Sequence, residues 1–352
     1  MTTQQTDWMI ANGPQTTTLA PLDIMNRWWS EMQPRLPFRA TTREEFTSWQ
    51  RDVRQAVQER LGWQPPALPL QPVIRAEGLL EPGVRFRFGE VETAPGMTVP
   101  FVVLVPEGLA ASSPAVLCIH GHGHGMNPLI GLDEAGNPLE NEYQHAFALE
   151  ACRRGFVSLT FDMLCFGRRR DFLYNQQYKL NPCDSPSKIA IQLGASMLGL
   201  RVFDARQMLT LLGQQPEVDA DRLGMSGISG GGTITFFTTL LDDRVRAANI
   251  SGYFNRFSAF MQVPHCVDNF VPALATVAEA PDLGCAIAPR PVLINQGTRD
   301  PIFPIEATRA GVEQLRTAYR LFAAESHVEE EYYDAEHVYS NARVWDFFRE
   351  NL

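Results

Sequence analysis

The sequence predicts an α/β fold, a mostly parallel eight-stranded sheet with helices on both faces, preceded by a helical N-terminal extension. Short apolar runs alternate with helical stretches from residue 115 onwards, and such alternation builds a parallel sheet that is covered on both faces. Ahead of them, the alternating run 84–88 and the apolar run 99–105 flank an Ala-Pro-Gly turn at 94–96. That arrangement predicts an antiparallel pair of strands.

Residues 1–80 form the predicted extension, which contains one clear helix. Threonines at 41–42 can cap this helix, with acidic residues at 44–45 to complete a capping box, and the Gly and Pro residues of 62–66 end it. Apolar side chains recur on it at helical spacing: Phe46, Trp49, Val53, Val57 and Leu61. We therefore expect the extension to pack on the main domain, residues 81–352.

The later elements follow from the length of each apolar stretch and from the residues that flank it. Short apolar runs bounded by turn-forming residues predict buried strands, and longer periodic stretches predict helices. The eight predicted strands cover 84–88, 99–105, 115–119, 156–161, 222–226, 246–251, 291–296 and 328–334. The predicted helices lie near 142–154, 188–213, 231–241, 306–321 and 341–350. Sheets of this type place their chemistry at the carboxyl ends of the strands.

Charge and composition exclude several classes of function. The formal net charge of -10 argues against a surface that binds nucleic-acid phosphates. The N-terminus lacks the pattern of a signal peptide, and no apolar run approaches the roughly 20 residues that span a membrane. The six cysteines are scattered without a C-x-x-C pair, so we expect reduced thiols. The expectation is a cytoplasmic protein with neither a nucleic-acid nor a membrane partner, and homo-oligomers remain open.

The most informative motif is Gly-Ile-Ser-Gly-Gly at 227–231. It matches G-x-S-x-G between a predicted strand and a predicted helix. In that context, small residues flank a serine on a turn so tight that its hydroxyl is exposed at the tip. We therefore predict Ser229 as a nucleophile. The alternatives are a plain glycine-rich turn, or Ser226, whose surroundings lack the final glycine.

A serine nucleophile needs a histidine to take its proton and an acid to orient that histidine. On this scaffold the chain order is serine, acid, histidine. Asp300 follows the predicted strand 291–296, and His337 follows the last predicted strand. We predict Asp300 as the acid and His337 as the base. The competing readings are an Asx turn before a proline for Asp300, and His265 or His327 as the base.

The stretch Ile-His-Gly-His-Gly-His-Gly at 119–125 allows a metal interpretation. An H-x-H at the end of a strand can point two imidazoles toward one ion, with His265, Asp300 and His337 as further ligands. That interpretation leaves the serine motif unexplained, and the chain lacks the eight strand-helix units of a metallohydrolase barrel.

The second interpretation makes the same stretch an oxyanion loop. An acyl-transfer site needs two backbone N–H groups aimed at the developing oxyanion, one of them from the residue after the nucleophile. We predict the N–H groups of Gly230 and His122 for this role, with His120 packed beneath the loop, and we expect no cofactor and no metal.

Two long segments, 162–187 and 251–285, are expected to shape the pocket, because loops of that length more often contribute to function than merely connect elements. Asp162 is expected to organise its loop. The arginine run 168–170 either attracts an anionic substrate or is a solvated or ion-paired run. The residues predicted to contact substrate are His124, Phe166, Arg168, Tyr253, His265 and Asn269.

Several stretches together resemble the α/β-hydrolases, in particular their dienelactone-hydrolase-like and acetyl-xylan-esterase-like branch, over roughly residues 70 to 350. The stretches that carry the resemblance are Pro-Gly-Met-Thr-Val-Pro-Phe at 95–101, His-Gly-His-Gly at 120–123, Phe-Asp at 161–162, Phe-Gly-Arg at 166–168, Ser-Gly-Gly-Gly at 229–232, Ala-Pro-Arg-Pro at 288–291 and Gly-Thr-Arg-Asp at 297–300. Dienelactone hydrolases use a cysteine nucleophile, so the serine here implies esterase chemistry. The final histidine departs from the family's commoner Gly-His context, since it stands in Ala-Glu-His-Val-Tyr.

The resemblance implies a serine esterase that acts through an acyl-enzyme on a small-molecule ester, with short acyl groups such as those of acetylated carbohydrates. A peptidase of the prolyl-oligopeptidase type shares the triad but carries a propeller domain, for which about 80 residues are too few. A binding protein without activity would be expected to lack a triad member, and none is missing here.

Overall fold

The computed structural model describes residues 21–109, 112–140, 142–171, 176–177, 181–261 and 265–352. Its strands are β1 (Val73–Glu81), β2 (Val84–Ala94), β3 (Met97–Pro106), β4 (Ser113–Ile119), β5 (Val157–Phe161), β6 (Val218–Ile228), β7 (Val245–Ser251), β8 (Val292–Gly297) and β9 (Val328–Tyr333). Within the described residues they form one sheet in the order β1-β2-β3-β5-β4-β6-β7-β8-β9. The pairs β1·β2, β2·β3 and β3·β5 are antiparallel, and all later pairs are parallel.

The helices cover both faces of this sheet. They are α1 (Pro21–Glu31), α2 (Arg43–Leu61), α3 (Phe147–Arg153), α4 (Asp184–Gln192), α5 (Met197–Gly213), α6 (Gly230–Leu241), α7 (Phe257–Phe260), α8 (Ala280–Cys285), α9 (Ile305–Arg320) and α10 (Val344–Asn351). Successive side chains of a strand point to opposite faces. Accordingly, Ala115, Leu117 and Ile119 of β4 join the core formed with α2, α5 and α6, whereas Val116 and Cys118 pack with α3 and α10.

All eight predicted strands are present, and the structure adds a ninth. β1 is antiparallel to β2 at the edge of the sheet, and most of its side chains are exposed. An exposed edge strand has no buried face, so it lacks the apolar pattern from which a strand is predicted. The predicted domain boundary at residue 80 falls inside this strand, and the division into an extension and a main domain stays a prediction.

The single helix predicted near 188–213 is wrong, because α4 and α5 are separate. Gly194 adopts a φ of +73° between them, a conformation that favours glycine. The hydroxyl of Ser196 then accepts the N–H of Gly199 at 3.0 Å and begins α5. The same hydroxyl donates to the carbonyl oxygen of Leu61 at the end of α2, at 2.8 Å.

The predicted N-terminal helix is α2, and it is joined closely to the main domain. Thr42 and Glu45 form a capping box at its start. Its buried side chains belong to the same core as β4 and α5, and they include Phe46, Val53 and Leu61. The first 20 residues of the predicted extension lie outside the described residues. Among the helices that are described, none combines the length and apolar character needed to cross a bilayer.

Candidate active site

Ser229 lies on the sharp turn between β6 and α6. Its φ of +58° and ψ of -123° are strained for a residue with a side chain. The turn requires glycine on both sides. A Cβ on Gly227 would collide with the carbonyl oxygen of Gly231, and a Cβ on Gly231 would collide with the carbonyl oxygen of Ile119 at the end of β4. This turn, which we call the elbow, therefore packs closely against the end of β4 and the loop that follows it.

Asp300 and His337 meet above the carboxyl ends of β8 and β9. His337 Nδ1 lies 2.6 Å from Asp300 Oδ2, and the Asp300 side chain is almost completely buried. Asp300 Oδ1 accepts the backbone N–H groups of Ile302 at 2.8 Å and of Phe303 at 3.1 Å. Gln296 donates its side-chain amide to Oδ2 at 3.0 Å. These bonds fix which carboxylate oxygen faces the imidazole.

Two aromatic rings lie nearly parallel to the His337 ring. The Tyr143 centroid is 6.1 Å from it and the Phe303 centroid is 5.8 Å from it. Its Nε2 is buried and has no hydrogen-bond partner among the described residues. It shares a pocket of about 440 Å³ with Ser229. The chain therefore brings a serine and a histidine paired with a buried acid to one pocket, and these are the residue types of a nucleophilic triad.

Contacts on both sides of His122 hold the loop after β4 in place. The carbonyl oxygen of His122 accepts a hydrogen bond from the Tyr143 hydroxyl at 2.8 Å. The backbone N–H of Gly121 donates to Gln144 Oε1 at 2.7 Å. The His122 imidazole lies against the elbow, since a Cβ on Gly230 would stand 3.0 Å from its Nδ1. Its Nε2 lies 3.1 Å from Asp268 Oδ2. The two predicted oxyanion donors, the N–H groups of Gly230 and His122, thus belong to segments in direct contact.

A buried group of charges lies beneath this loop. Arg201 is almost fully buried and donates to Asp268 Oδ2 at 2.6 Å. Burial opposes a charge on His122, but the adjacent Asp268 carboxylate and Cys183 side chain raise the pKa of His122 to about 9. Hydrogen bonds from the Cys165 and Cys266 thiols lower the pKa of Cys183.

His120 supports the same loop from below as a neutral imidazole. Its Nδ1 lies 2.6 Å from the Gly121 carbonyl oxygen, and its Nε2 lies 3.1 Å from the backbone nitrogen of Met163. The carbonyl can only accept and the amide can only donate, so the proton sits on Nδ1. Both nitrogens are then occupied. Burial lowers the pKa of His120 to about 4.

We expect His120 to make folding sensitive to acid. The unfolded chain binds this proton below the ordinary value of 6.5, whereas the folded chain binds it only near pH 4. Stability is therefore lost as the pH falls through this window, by on the order of 3 kcal/mol. Urea unfolding between these pH values should show a shallower pH dependence for His120→Asn than for the wild type. Equal slopes would contradict the assignment.

The pocket brings together five of the eleven residues predicted to react or to bind: Ser229, His337, His122, His265 and Asn269. It is lined by His122, Tyr143, Ser229, His265, Cys266, Asn269, Ile302 and His337. His265 Nε2 lies 3.1 Å from Asn269 Nδ2. Burial lowers the pKa of His265 to about 4, so its neutral Nε2 accepts from the amide. Tyr143, Cys266 and Ile302 were not predicted, because none belongs to a motif and each enters the pocket through nonlocal packing.

Two of the residues predicted to contact substrate lie at the surface instead. The His124 side chain is 64% exposed, and its Nδ1 pairs with Glu134 at 2.9 Å. Arg168 lies over the Phe88 ring at 5.1 Å and pairs with Asp162 at 3.4 Å. Neither lines the pocket of Ser229. Arg169 pairs with Asp204 and Arg170 with Glu134, so the arginine run forms ion pairs, as one of its two interpretations predicted.

Two further predicted contacts are buried beneath the pocket. Phe166 is edge-on to the His122 ring at 5.1 Å, with the Arg201 guanidinium over its face at 4.8 Å. Tyr253 is 2% exposed and packs among aromatic residues of the core, including Phe236 and Phe303. Both side chains belong to the core, and neither lines the pocket of Ser229.

Asp162 acts on its loop rather than on the pocket. Its Oδ1 accepts the N–H of Met126 at 2.8 Å, and its Oδ2 accepts the N–H of Arg168 at 3.0 Å. The side chain is fully buried. It therefore ties the end of the oxyanion loop to the segment after β5, which is the organising role expected for it.

A strand-serine-helix elbow, with an acid and a histidine at later strand ends, defines the α/β-hydrolases as a class. The sequence profile of the Abhydrolase family matches residues 9–345, and the chain belongs to this family. The candidate hydrolase YtaP of Bacillus subtilis (strain 168) is 27% identical over an alignment of 237 positions, with coverage of 62% of this chain and 71% of that protein.

Solved structures share the fold over most of the chain. A candidate acetyl xylan esterase from Bacteroides fragilis NCTC 9343 has a TM-score of 0.76 and 22% identity, covering 92% of this chain and 84% of that one. The methylesterase BT1017 has a TM-score of 0.68 and 20% identity, covering 93% and 67%. A glucuronoyl esterase from Solibacter usitatus has a TM-score of 0.67 and 11% identity, covering 91% and 97%.

Proposed function

We propose that the protein is a serine esterase that hydrolyses short acyl esters through an acyl-enzyme. One observation carries the proposal. Ser229, on a strained elbow, opens into the same pocket as His337, whose Nδ1 lies 2.6 Å from the buried carboxylate of Asp300. A serine gains nucleophilic power only from such an oriented base.

In the proposed reaction Ser229 Oγ attacks the ester carbonyl carbon while His337 Nε2 takes its proton. Asp300 holds the imidazole with its proton on Nδ1 and stabilises the imidazolium that forms. His337 then returns the proton to the leaving alcohol. Water repeats the sequence on the acyl-enzyme, which releases the acid and regenerates the serine.

The N–H groups of Gly230 and His122 would bind the oxyanion of both tetrahedral intermediates. Gly230 is the first residue of α6, so its N–H has no partner within the helix. Donors fixed before the reaction stabilise developing charge without reorganisation.

The pocket favours a small, polar ester. Its volume is about 440 Å³, and His265 and Asn269 offer a neutral imidazole and an amide to hydroxyl groups of a substrate. The similar solved structures include proteins named as acetyl xylan, methyl and glucuronoyl esterases. Together these support esters of carbohydrates, with acetate as the acyl group.

A serine-directed fluorophosphonate probe tests the nucleophile. We expect labelling of the wild type, mapped to the peptide that holds Ser229, and no labelling of Ser229→Ala. Ser226→Ala is the matched control: its hydroxyl is buried against Tyr339 at 2.6 Å, so labelling should persist as long as the variant folds. An unlabelled wild type would favour a protein that binds without reacting.

A series of p-nitrophenyl esters from acetate to octanoate tests the acyl group. We expect kcat/KM to be highest for acetate and to fall as the chain lengthens, because the pocket is small. The corresponding p-nitroanilides should react far more slowly. Faster cleavage of the anilides would favour a peptidase or an amidase.

A further inference from the structure

Four side chains with metal-binding atoms converge beside the catalytic pocket. They are His122 from the oxyanion loop, Cys183 at the start of α4, and Cys266 and Asp268 from the segment between β7 and β8. One ligand atom from each lies within 4.8 Å of the corresponding atom of every other member. We call these four residues the sulfur cluster.

The donor set of the sulfur cluster has a clear chemical preference. Two thiolates, an imidazole and a carboxylate are ligands of zinc in tetrahedral sites, whereas magnesium and calcium select oxygen. Zinc bonds of about 2.0–2.3 Å place tetrahedral ligands roughly 3.5 Å apart. Small side-chain movements would therefore bring the four atoms to that spacing.

A second observation points to a ligand at the same place. The Asp268 side chain is fully buried, and its Oδ1 has no hydrogen-bond partner among the described residues. His122 Nε2 is also buried, and no hydrogen bond of good geometry satisfies it, although Asp268 Oδ2 is 3.1 Å away. Buried polar atoms without partners are costly and rare in folded proteins. A cation bound to both would satisfy them.

Arg201 fits this arrangement as a support for the ligands. It donates to Asp268 Oδ2 at 2.6 Å, which leaves Oδ1 for an ion, and it lies 3.4 Å from the Cys183 sulfur. Outer groups that fix ligands in this way are usual at metal sites. The charges also balance, because two thiolates and one carboxylate match one divalent cation and one guanidinium.

We propose that His122, Cys183, Cys266 and Asp268 bind one zinc ion, which fastens the oxyanion loop to α4 and to the segment before α8. Four protein ligands close a tetrahedral site, so the ion is structural and leaves the chemistry to Ser229. The proposal goes beyond the esterase function. It also differs from a site built on His120 and His122 together, since both nitrogens of His120 are occupied.

Cobalt titration of chain stripped of metal under reducing conditions tests the site. The experiment uses Ser229→Ala as the parent, so that no result depends on ester hydrolysis. We expect one Co²⁺ per chain, a sulfur-to-cobalt charge-transfer band, and the intense visible bands of tetrahedral coordination. Zinc should displace the cobalt and abolish both. A parent chain that binds no cobalt, or binds it without the sulfur band, overturns the proposal.

Two cysteine substitutions in the same parent locate the site. Cys183→Ser should weaken cobalt binding by at least about 100-fold. Cys285→Ser is the matched control, because that buried thiol lies outside the cluster, donates to Gln314, and should leave binding unchanged. Cys266→Ser provides a second test of the ligand set if Cys183→Ser fails to fold. Zinc should raise the Tm of the parent and of Cys285→Ser only. A sulfur band of full strength in a folded Cys183→Ser or Cys266→Ser variant overturns the ligand assignment.

Discussion

Replacing Asp300 by asparagine should lower kcat/KM for an ester by about 10⁴-fold while the chain stays folded. Two backbone N–H groups, of Ile302 and Phe303, point at Oδ1. The NH₂ group of the new asparagine cannot occupy the Oδ1 position, because its N–H groups would face the N–H groups of Ile302 and Phe303. It must therefore occupy the Oδ2 position, where it faces His337 Nδ1.

That orientation reverses the tautomer of His337. An NH₂ group donates to Nδ1, so the imidazole proton moves to Nε2, the atom that must accept the proton from Ser229. Gln296 also loses its acceptor on this side chain. The loss should therefore appear in kcat, with KM little changed, since the pocket keeps its shape.

Steady-state kinetics on p-nitrophenyl acetate checks this result, with unfolding curves to show that the variant is folded. Asp334→Asn is the matched control. It stands three residues before His337, its side chain is 87% exposed, and it pairs with Arg299 at 2.7 Å. Its kcat/KM should stay within about twofold of the wild type. An Asp300→Asn variant that keeps a tenth of the activity would mean that another group orients the histidine.

The three residues of the candidate triad could be predicted from sequence because each of them follows a strand. In a parallel sheet the residues after the strands meet at one edge, whatever their separation along the chain. The motif around Ser229 adds its own local geometry, since only small neighbours fit the elbow. Local sequence and the alternation of strands with helices therefore suffice for these three residues.

The pocket walls could not be predicted in the same way. Tyr253 and His265 belong to one polar and aromatic segment, yet Tyr253 turns into the core and His265 reaches the pocket. Gly252, at a φ of +52°, redirects the chain just before Tyr253. Whether an aromatic side chain lines a pocket or fills a core is decided by tertiary packing, which leaves no local pattern in the sequence.

The alternating histidines illustrate the same limit. On a regular strand, residues two apart point the same way, which is why His120 and His122 suggest a common ion. The structure separates them, because β4 ends at Ile119 and residues 120–122 are no longer part of a regular strand. His120 points under the loop and His122 toward Asp268, a partner that no local spacing reveals.

Replacing Gly231 by alanine should destabilise the fold by about 3 kcal/mol and lower kcat by roughly 100-fold. A Cβ on Gly231 would collide with the carbonyl oxygens of Ile119 and His120, which are backbone atoms of β4 and of the oxyanion loop. Neither can rotate away as a side chain could. The first turn of α6 must therefore move from β4, which separates the N–H of Gly230 from that of His122.

Gly213→Ala separates this effect from the general consequences of adding a methyl group to a helix. Gly213 is the last residue of α5, and a Cβ there would make an ordinary contact, 3.4 Å from the Cβ of Ala220. The Gly213→Ala substitution should raise the free energy of unfolding by no more than about 1 kcal/mol. Urea unfolding and kcat, measured where both variants are folded, give the comparison. A Gly231→Ala variant that loses stability but keeps full kcat would mean that the first turn of α6 can move without disturbing the oxyanion donors. The second donor would then have to be a group other than the N–H of His122.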